Sequence, residues 1–411
     1  MLSGRNLRPA RLATDSGGTY RPQHTAIVAG AGLQLTFSNW YIGTGTGEQP
    51  GPNSYTIHHC WIEHAGQLTP VLFAGGATSV SVPVGADVQG TADVTIGAGE
   101  TFWVRSYVTP DVPGGSYPVL YAVPDYPGEL SAKGADHAAE LGTDNLVNFG
   151  DVFGPTLVTA PDAEAPRFAV TAIGDSLANG ANDSFGGPLE VGYLTRALVP
   201  ARPVLVLAVS GEQAAEYLAD STRRSSFVGP GAHYLICTYG LNDLQGGRSL
   251  AQVQDALLGI WAGAVERNPE VRVLQTTITP KSSSVNGWAD PEGQTADFTV
   301  EADRPDLNDW IRAGAPTDGM TAGDPGHPLF GYLEVADLAE PTRNAGIWRP
   351  GYTNDGVHPN TTGHLALMAA VDLGVLADVP VPVTPVVARN VTVTSALSPT
   401  RWSAHLEGAS R

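Results

Sequence analysis

Two cysteines, two lysines and three methionines are all that 411 residues hold of those types. Cysteine is confined to Cys60 and Cys237, each inside an apolar strand pattern, so the chain is no disulfide scaffold and two buried free thiols are expected. Lysine occurs only at Lys133 and Lys281; the remaining cations are arginines, which reads as coding bias rather than a binding feature. Charged residues make up 15%, and the acids outweigh the bases to a formal net charge of −19. That balance argues against nucleic acid and anionic membrane surfaces as partners. No run approaches the ~20 apolar residues of a membrane helix, so membrane insertion is not expected. The basic segment Met1–Arg11 lacks a following apolar stretch and does not read as a secretory signal. The expectation is a chain that stays in the cytoplasm or leaves by a route without a signal.

What is abundant is glycine, 49 residues, and proline, 32. Both point to many turns, and the length suits two cores. Residues 1–25 read as an N-terminal arm without periodicity. From 26 to 125 short strand patterns follow one another. Leu33–Phe37 alternates with period two, as does Val80–Val84, where Pro83 argues for an edge; Thr91–Ile96 and Thr101–Val108 complete the set. This spacing predicts an antiparallel β-sandwich. Residues 126–165 are irregular and acidic, a linker candidate. From 166 to 378 the mainly apolar runs Phe168–Ile173, Pro203–Val209 and His233–Thr238, with the more polar Val271–Ile278, alternate with helical patterns such as Leu250–Val265. That texture predicts a parallel sheet covered on both faces, a flavodoxin-like three-layer α/β/α domain. Residues 379–411 read as an extended tail in which Val391–Thr394 is a candidate strand.

In an open parallel sheet, sites form beyond the carboxyl ends of the strands. The first predicted strand ends at Gly174-Asp175-Ser176, the second at Ser210-Gly211, the third at Gly240-Leu241-Asn242-Asp243. Their intervals suit successive βα units of about 30 residues, so the three turns should open on one rim. A serine there is a helix cap or a nucleophile, and a nucleophile needs a base with an orienting partner. Asp355-Gly-Val-His358-Pro359 supplies both, three residues apart and followed by a helix start at Thr361. A developing oxyanion needs preorganised donors. Ser176 N–H, Gly211 N–H and the Asn242 amide are the candidates.

These blocks resemble the SGNH hydrolase superfamily, the GDSL esterases and lipases. Gly-Asp-Ser-Leu at 174–177, Gly211, Gly-x-Asn-Asp at 240–243 and Asp-x-x-His-Pro at 355–359 carry the likeness, which covers about 168–375. Less specifically, Phe37-Ser-Asn39 and Ile62-Glu63 make 26–125 similar to the β-rich N-terminal half of some actinobacterial members. The resemblance implies Ser176 as nucleophile, His358 as general base and acid, and Asp355 as its orienter. Ser176, Gly211 and Asn242 would form the oxyanion hole, with Asp175, Gly240 and Asp243 in support. Neither metal nor organic cofactor is implied. An α/β-hydrolase elbow, Gly-x-Ser-x-Gly, is disfavoured because Ala178 stands at the second glycine position.

Blander readings stand beside these. Asp243 braces the Asn242 loop or caps a helix; Asn179 and Gly180 shape the cleft floor or merely turn the chain. His58, Cys60 and His64 share a strand face, yet about 20 Å separates the two histidines, too far for one ion. Trp40, Tyr41, Trp61, Trp103 and Tyr107 read as sandwich core and rim rather than a sugar platform. Lys281–Ala296 and Gly323–Gly331 are surface loops or substrate wall. The expected activity is hydrolysis of short acyl esters, above all acetyl groups on a cell-surface polysaccharide; a small-ester esterase is the near alternative. From a different class, the chain is a structural or receptor-binding component of a phage tail or virion, active or not. It would then be virion-associated, with homo-oligomer or virion assembly through the termini.

Overall fold

The computed structural model describes residues 2, 11–13, 16–43, 47–121, 129–147, 150–161, 169–184, 191–199, 201–228 and 232–372. Phe168, Val391–Thr394 and the rest of the tail lie outside them.

The N-terminal region is built on strand alternation. Leu33, Leu35 and Phe37 are fully buried, while between them Gln34 is exposed and Thr36 half-buried. Their strand, Gly30–Ser38, pairs antiparallel with Asp87–Ile96 on one side and Leu157–Thr159 on the other. A second, seven-stranded sheet centres on Tyr55–His64 and Thr101–Pro110, which pair from Tyr55↔Pro110 to Trp103↔Glu63. The inner faces of the two sheets enclose Phe37, Tyr55, Ile57, Ile62, Val104 and Val108. Among the described residues Val80–Val82 pairs with Tyr55–Ile57 alone, and Pro83 follows it where no ladder bond is needed.

Three expectations change. The arm is not free of structure: Gly18–Arg21 lies buried between Leu130–Lys133 and Ser106–Val108, and Gln23–Thr25 pairs with Thr101–Trp103. Pro22 cuts this stretch into two pieces too short to show a period. The linker likewise supplies Leu130–Lys133 and Leu157–Thr159 to the two sandwich sheets, and Asp151–Val152 to a separate three-stranded sheet with Pro118–Tyr121 and Arg11–Leu12, so the sandwich draws on residues at both ends of 26–125. Trp40 belongs to neither sandwich core nor rim. Fully buried with Ile42, it packs in the core of the α/β region, edge-on to Phe227 with ring centroids 5.8 Å apart.

The α/β region holds a five-stranded parallel sheet. Its strands in chain order are Val170–Ile173, Val204–Val206, Tyr234–Cys237, Arg272–Thr276 and Gly331–Leu333. In space the order is second, first, third, fourth, fifth, the flavodoxin-like arrangement. Alternate side chains feed opposite layers. Val170, Ala172, Tyr234, Ile236 and Leu274 face helices Tyr193–Leu198 and Thr361–Leu367. Ile173, Leu235, Cys237 and Val273 face Leu250–Arg267, which buries Val253, Ala256, Leu257, Ile260 and Trp261 at helical spacing. Ser249 and Gln252 close the N-terminus of that helix with a capping box. The fifth strand, three residues long, is too short to stand out in the sequence. No helix among the described residues is long and apolar enough to cross a membrane.

Candidate active site

The first strand ends at Ile173, and Gly174-Asp175 turns the chain so that Ser176 opens a run of turns. Asp175 points inward, and its Oδ1 accepts from Leu177 N–H at 2.9 Å. Ser176 Oγ lies 2.8 Å from His358 Nε2, although 182 positions separate the two residues. His358 Nδ1 lies 2.7 Å from Asp355 Oδ2. An ionised carboxylate can only accept, so it holds the ring proton on Nδ1 and leaves Nε2 to accept from the serine hydroxyl. Burial raises the Asp355 carboxyl, but the His358 ring, His358 N–H and Val357 N–H outweigh it and hold it at about 2. Both amides donate to Oδ1 at 2.8 Å. The three-residue spacing therefore serves a backbone purpose too: the loop wraps its own carboxylate.

The loop rests on the hairpin formed by Ser282–Ser284 and Gln294–Ala296. Ser282 N–H and Trp348 Nε1 both donate to Gly356 O, at 3.0 and 2.9 Å. Gly356 has φ +77°, and a Cβ there would meet Ser282 O at 1.8 Å, so only glycine permits this approach. Lys281–Ala296 thus braces the His358 loop, a contact that its polar sequence does not reveal.

Of the expected oxyanion donors, Ser176 N–H and Gly211 N–H are bonded to no acceptor among the described residues. Gly211 has φ +87°. Asn242 sits in the first turn of the helix Leu241–Gln245, which Gly240 (φ +138°) precedes. Its Nδ2 donates to Asp175 Oδ2 at 3.0 Å and to Glu212 O at 3.2 Å. The amide is thereby oriented, and service as an oxyanion donor requires it to share a hydrogen. Burial pushes Asp175 up to about 7, against the bond from Leu177 N–H and with the help of the Asp243 and Glu212 charges. Asp243 Oδ2 accepts Ala214 N–H at 2.9 Å, so Asp243 caps the helix Ala214–Ala219 and ties the Asn242 loop to the Gly211 loop. Asn179 Nδ2 reaches Ala208 O and Ser210 Oγ at 3.3 and 3.2 Å, fastening the Ser176 turn to the same loop.

One residue escaped the sequence reading. Asn182, at φ +65°, donates to Asp355 Oδ2 at 2.7 Å and so touches the carboxylate from the serine side. Its only signal is an Asn in a turn, the residue type that tolerates positive φ. Elsewhere, His58 meets Thr109, His64 meets Glu100, and the Cys60 thiol lies beside Ser106. Burial pushes both the Cys60 and Cys237 thiols up to about 12, so neither is a nucleophile at neutral pH.

A serine, a histidine and a carboxylate in one hydrogen-bonded line, with two N–H groups that meet no acceptor among the described residues, can carry out acyl transfer. Comparison with known proteins agrees at the level of family. Residues 172–366 match the family described as GDSL-like Lipase/Acylhydrolase. No curated protein matches the chain. Among solved structures the chain is similar to a lipase from a goat rumen metagenome, with 16% identity over 49% of this chain and 95% of that one and a TM-score of 0.36. It is similar also to a carbohydrate esterase family 3 structure from Talaromyces cellulolyticus, with 16% identity, 51% and 96% coverage and a TM-score of 0.34. A salicylyl-acyltransferase from a tetracycline biosynthetic pathway aligns over 84% of this chain and 83% of its own, with 13% identity and a TM-score of 0.36. The parallel-sheet region, over residues 172–366, is a GDSL-like lipase/acylhydrolase domain.

Proposed function

We propose that Ser176, His358 and Asp355 are the triad of a serine esterase that removes short acyl groups, above all acetyl, from a polysaccharide. The observation that carries this reading is the unbroken line Asp355 Oδ2, His358 Nδ1, His358 Nε2, Ser176 Oγ, with contacts of 2.7 and 2.8 Å. In the first step Ser176 Oγ attacks the ester carbonyl while His358 Nε2 takes its proton. The oxyanion is held by the N–H groups of Ser176 and Gly211, with Asn242 as third donor. The C–O bond to the alcohol breaks, and the alcohol leaves with the proton from His358. Water, deprotonated by the same nitrogen, then attacks the acyl-enzyme; the carboxylic acid departs and the serine regains its proton. Asp355 stays ionised throughout and stabilises the imidazolium. Each oxyanion donor is worth about 10²–10³ in rate.

The segment that braces the His358 loop is polar in composition, with Lys281, Ser282, Ser283, Ser284 and Gln294, and a polar neighbourhood favours a small acyl group on a hydroxylated substrate. The test compares acetate release from O-acetylated polysaccharides with hydrolysis of p-nitrophenyl esters of increasing chain length. Acetate release, with kcat/KM falling beyond butyrate, supports the reading. A preference for chains of eight carbons or more, without acetate release, contradicts the substrate assignment.

A further inference from the structure

A buried ionic chain runs from the N-terminal region to the residue beside Gly211. It begins at Glu48, in the strand Gly47–Pro50 that pairs with Trp40–Gly43. Glu48 is buried within the α/β region. Its Oε1 accepts from Arg224 N–H at 2.6 Å and from Arg224 Nε at 3.2 Å, and its Oε2 accepts from Arg223 N–H at 2.9 Å. Arg224, itself fully buried, then makes a two-pronged pair with Glu212, Nη1 to Oε2 and Nη2 to Oε1, both at 2.7 Å. The Tyr239 hydroxyl also donates to Glu212 Oε2. Glu212 follows Gly211 directly, and its carbonyl receives the Asn242 amide at 3.2 Å. One residue, held by its side chain, therefore sets the peptide next to one oxyanion donor and the orientation of another.

We propose that Glu48 is a positioning residue for the Asn242 donor of the oxyanion hole, acting through Arg224 and the Glu212 carbonyl, so that the N-terminal region completes the catalytic site. The inference rests on the esterase reading above. Its physical basis is that Arg224 has no solvent to turn to. Without the Glu48 carboxylate, Arg224 Nε and the Arg223 and Arg224 amides lose their charged acceptor, and Arg224, its side chain then hydrogen-bonded among the described residues to Glu212 and Asp220 O alone, is released to shift toward them. Glu212 shifts with it, and a displacement on the order of 1 Å at a reacting centre costs up to about 10² in rate.

The test is the rate at which a fluorophosphonate modifies Ser176, read by intact mass. Serine Oγ bonds to phosphorus, fluoride leaves and the serine proton passes to His358, so the step draws on the oxyanion hole without needing the natural substrate. Glu48→Gln, Asn242→Ala and the double variant form a cycle. Glu48→Gln is expected to slow labelling about tenfold alone, but less than about threefold on the Asn242→Ala background. Glu48→Asp, which keeps the charge and shortens its reach to Arg224, repeats the cycle if Glu48→Gln does not fold. Multiplying effects, or a lowered Tm with labelling unchanged in the folded protein, overturn the inference while leaving the esterase reading intact. Absence of labelling at Ser176 in the wild type overturns both.

Discussion

Replacing Asp355 by asparagine removes a charge without removing volume, and the hydrogen bonds around the carboxylate dictate the consequence. Four N–H donors face it: Val357 and His358 amides on Oδ1 at 2.8 Å, and His358 Nδ1 and Asn182 Nδ2 on Oδ2 at 2.7 Å. Asparagine offers one acceptor oxygen and one NH₂ group. The two backbone amides are fixed, so they keep the oxygen, and the NH₂ turns toward the imidazole. Nδ1 must then accept, the ring proton moves to Nε2, and Nε2 donates to Ser176 instead of receiving its proton. A wrong tautomer of this kind costs about 10⁴ in kcat. The stability cost is far smaller. Asp355 is held at about 2 in the fold, below its unfolded value, so its contribution is present above pH ~4 and is lost as pH falls through about 2. The side chain is 40% exposed, and after solvent screening the contribution is about 1 kcal/mol. Kinetics with p-nitrophenyl acetate and thermal unfolding at pH 7 separate the two effects. A variant that keeps more than a tenth of wild-type kcat refutes the assignment of Asp355 as orienter.

The same geometry sets three further expectations. Gly211→Ala forces a non-glycine residue to φ +87°, where a Cβ meets nothing within 4 Å; strain alone should cost about 1–2 kcal/mol in unfolding experiments, and no loss at all would mean the loop relaxes freely. Asn182→Ala removes one donor from the Asp355 carboxylate and should lower kcat by up to about tenfold with KM unchanged; a change confined to KM would place Asn182 on the substrate instead. Asp175, raised to about 7 chiefly by burial, holds its proton longer in the fold than in the unfolded chain. It therefore costs stability progressively as pH rises from about 4 to about 7. Asp175→Asn should gain in Tm relative to wild type between pH 5 and pH 8, and the opposite trend would contradict the buried-carboxyl account.

The rim was legible because its chemistry is local. Gly174-Asp175-Ser176, Gly211 and Gly240-Leu241-Asn242 each sit where an apolar run stops, and the Asp355–His358 pair lies within one loop. What escaped depends on partners far along the chain. Trp40 alternates like a sandwich residue, yet its neighbour is Phe227. Gly18–Arg21 pairs with strands whose positions no local pattern announces. Glu48 and Arg224 meet across 176 positions, and nothing in either neighbourhood shows that the other will arrive.

The mechanism stands on Ser176 as the nucleophile, and p-nitrophenyl acetate hydrolysis by wild type and Ser176→Ala at equal concentration tests that role directly. Turnover by the wild type is expected, with a loss of at least about 10³ in the variant, leaving only what binding and the oxyanion donors supply. A variant as active as the wild type would contradict the assignment.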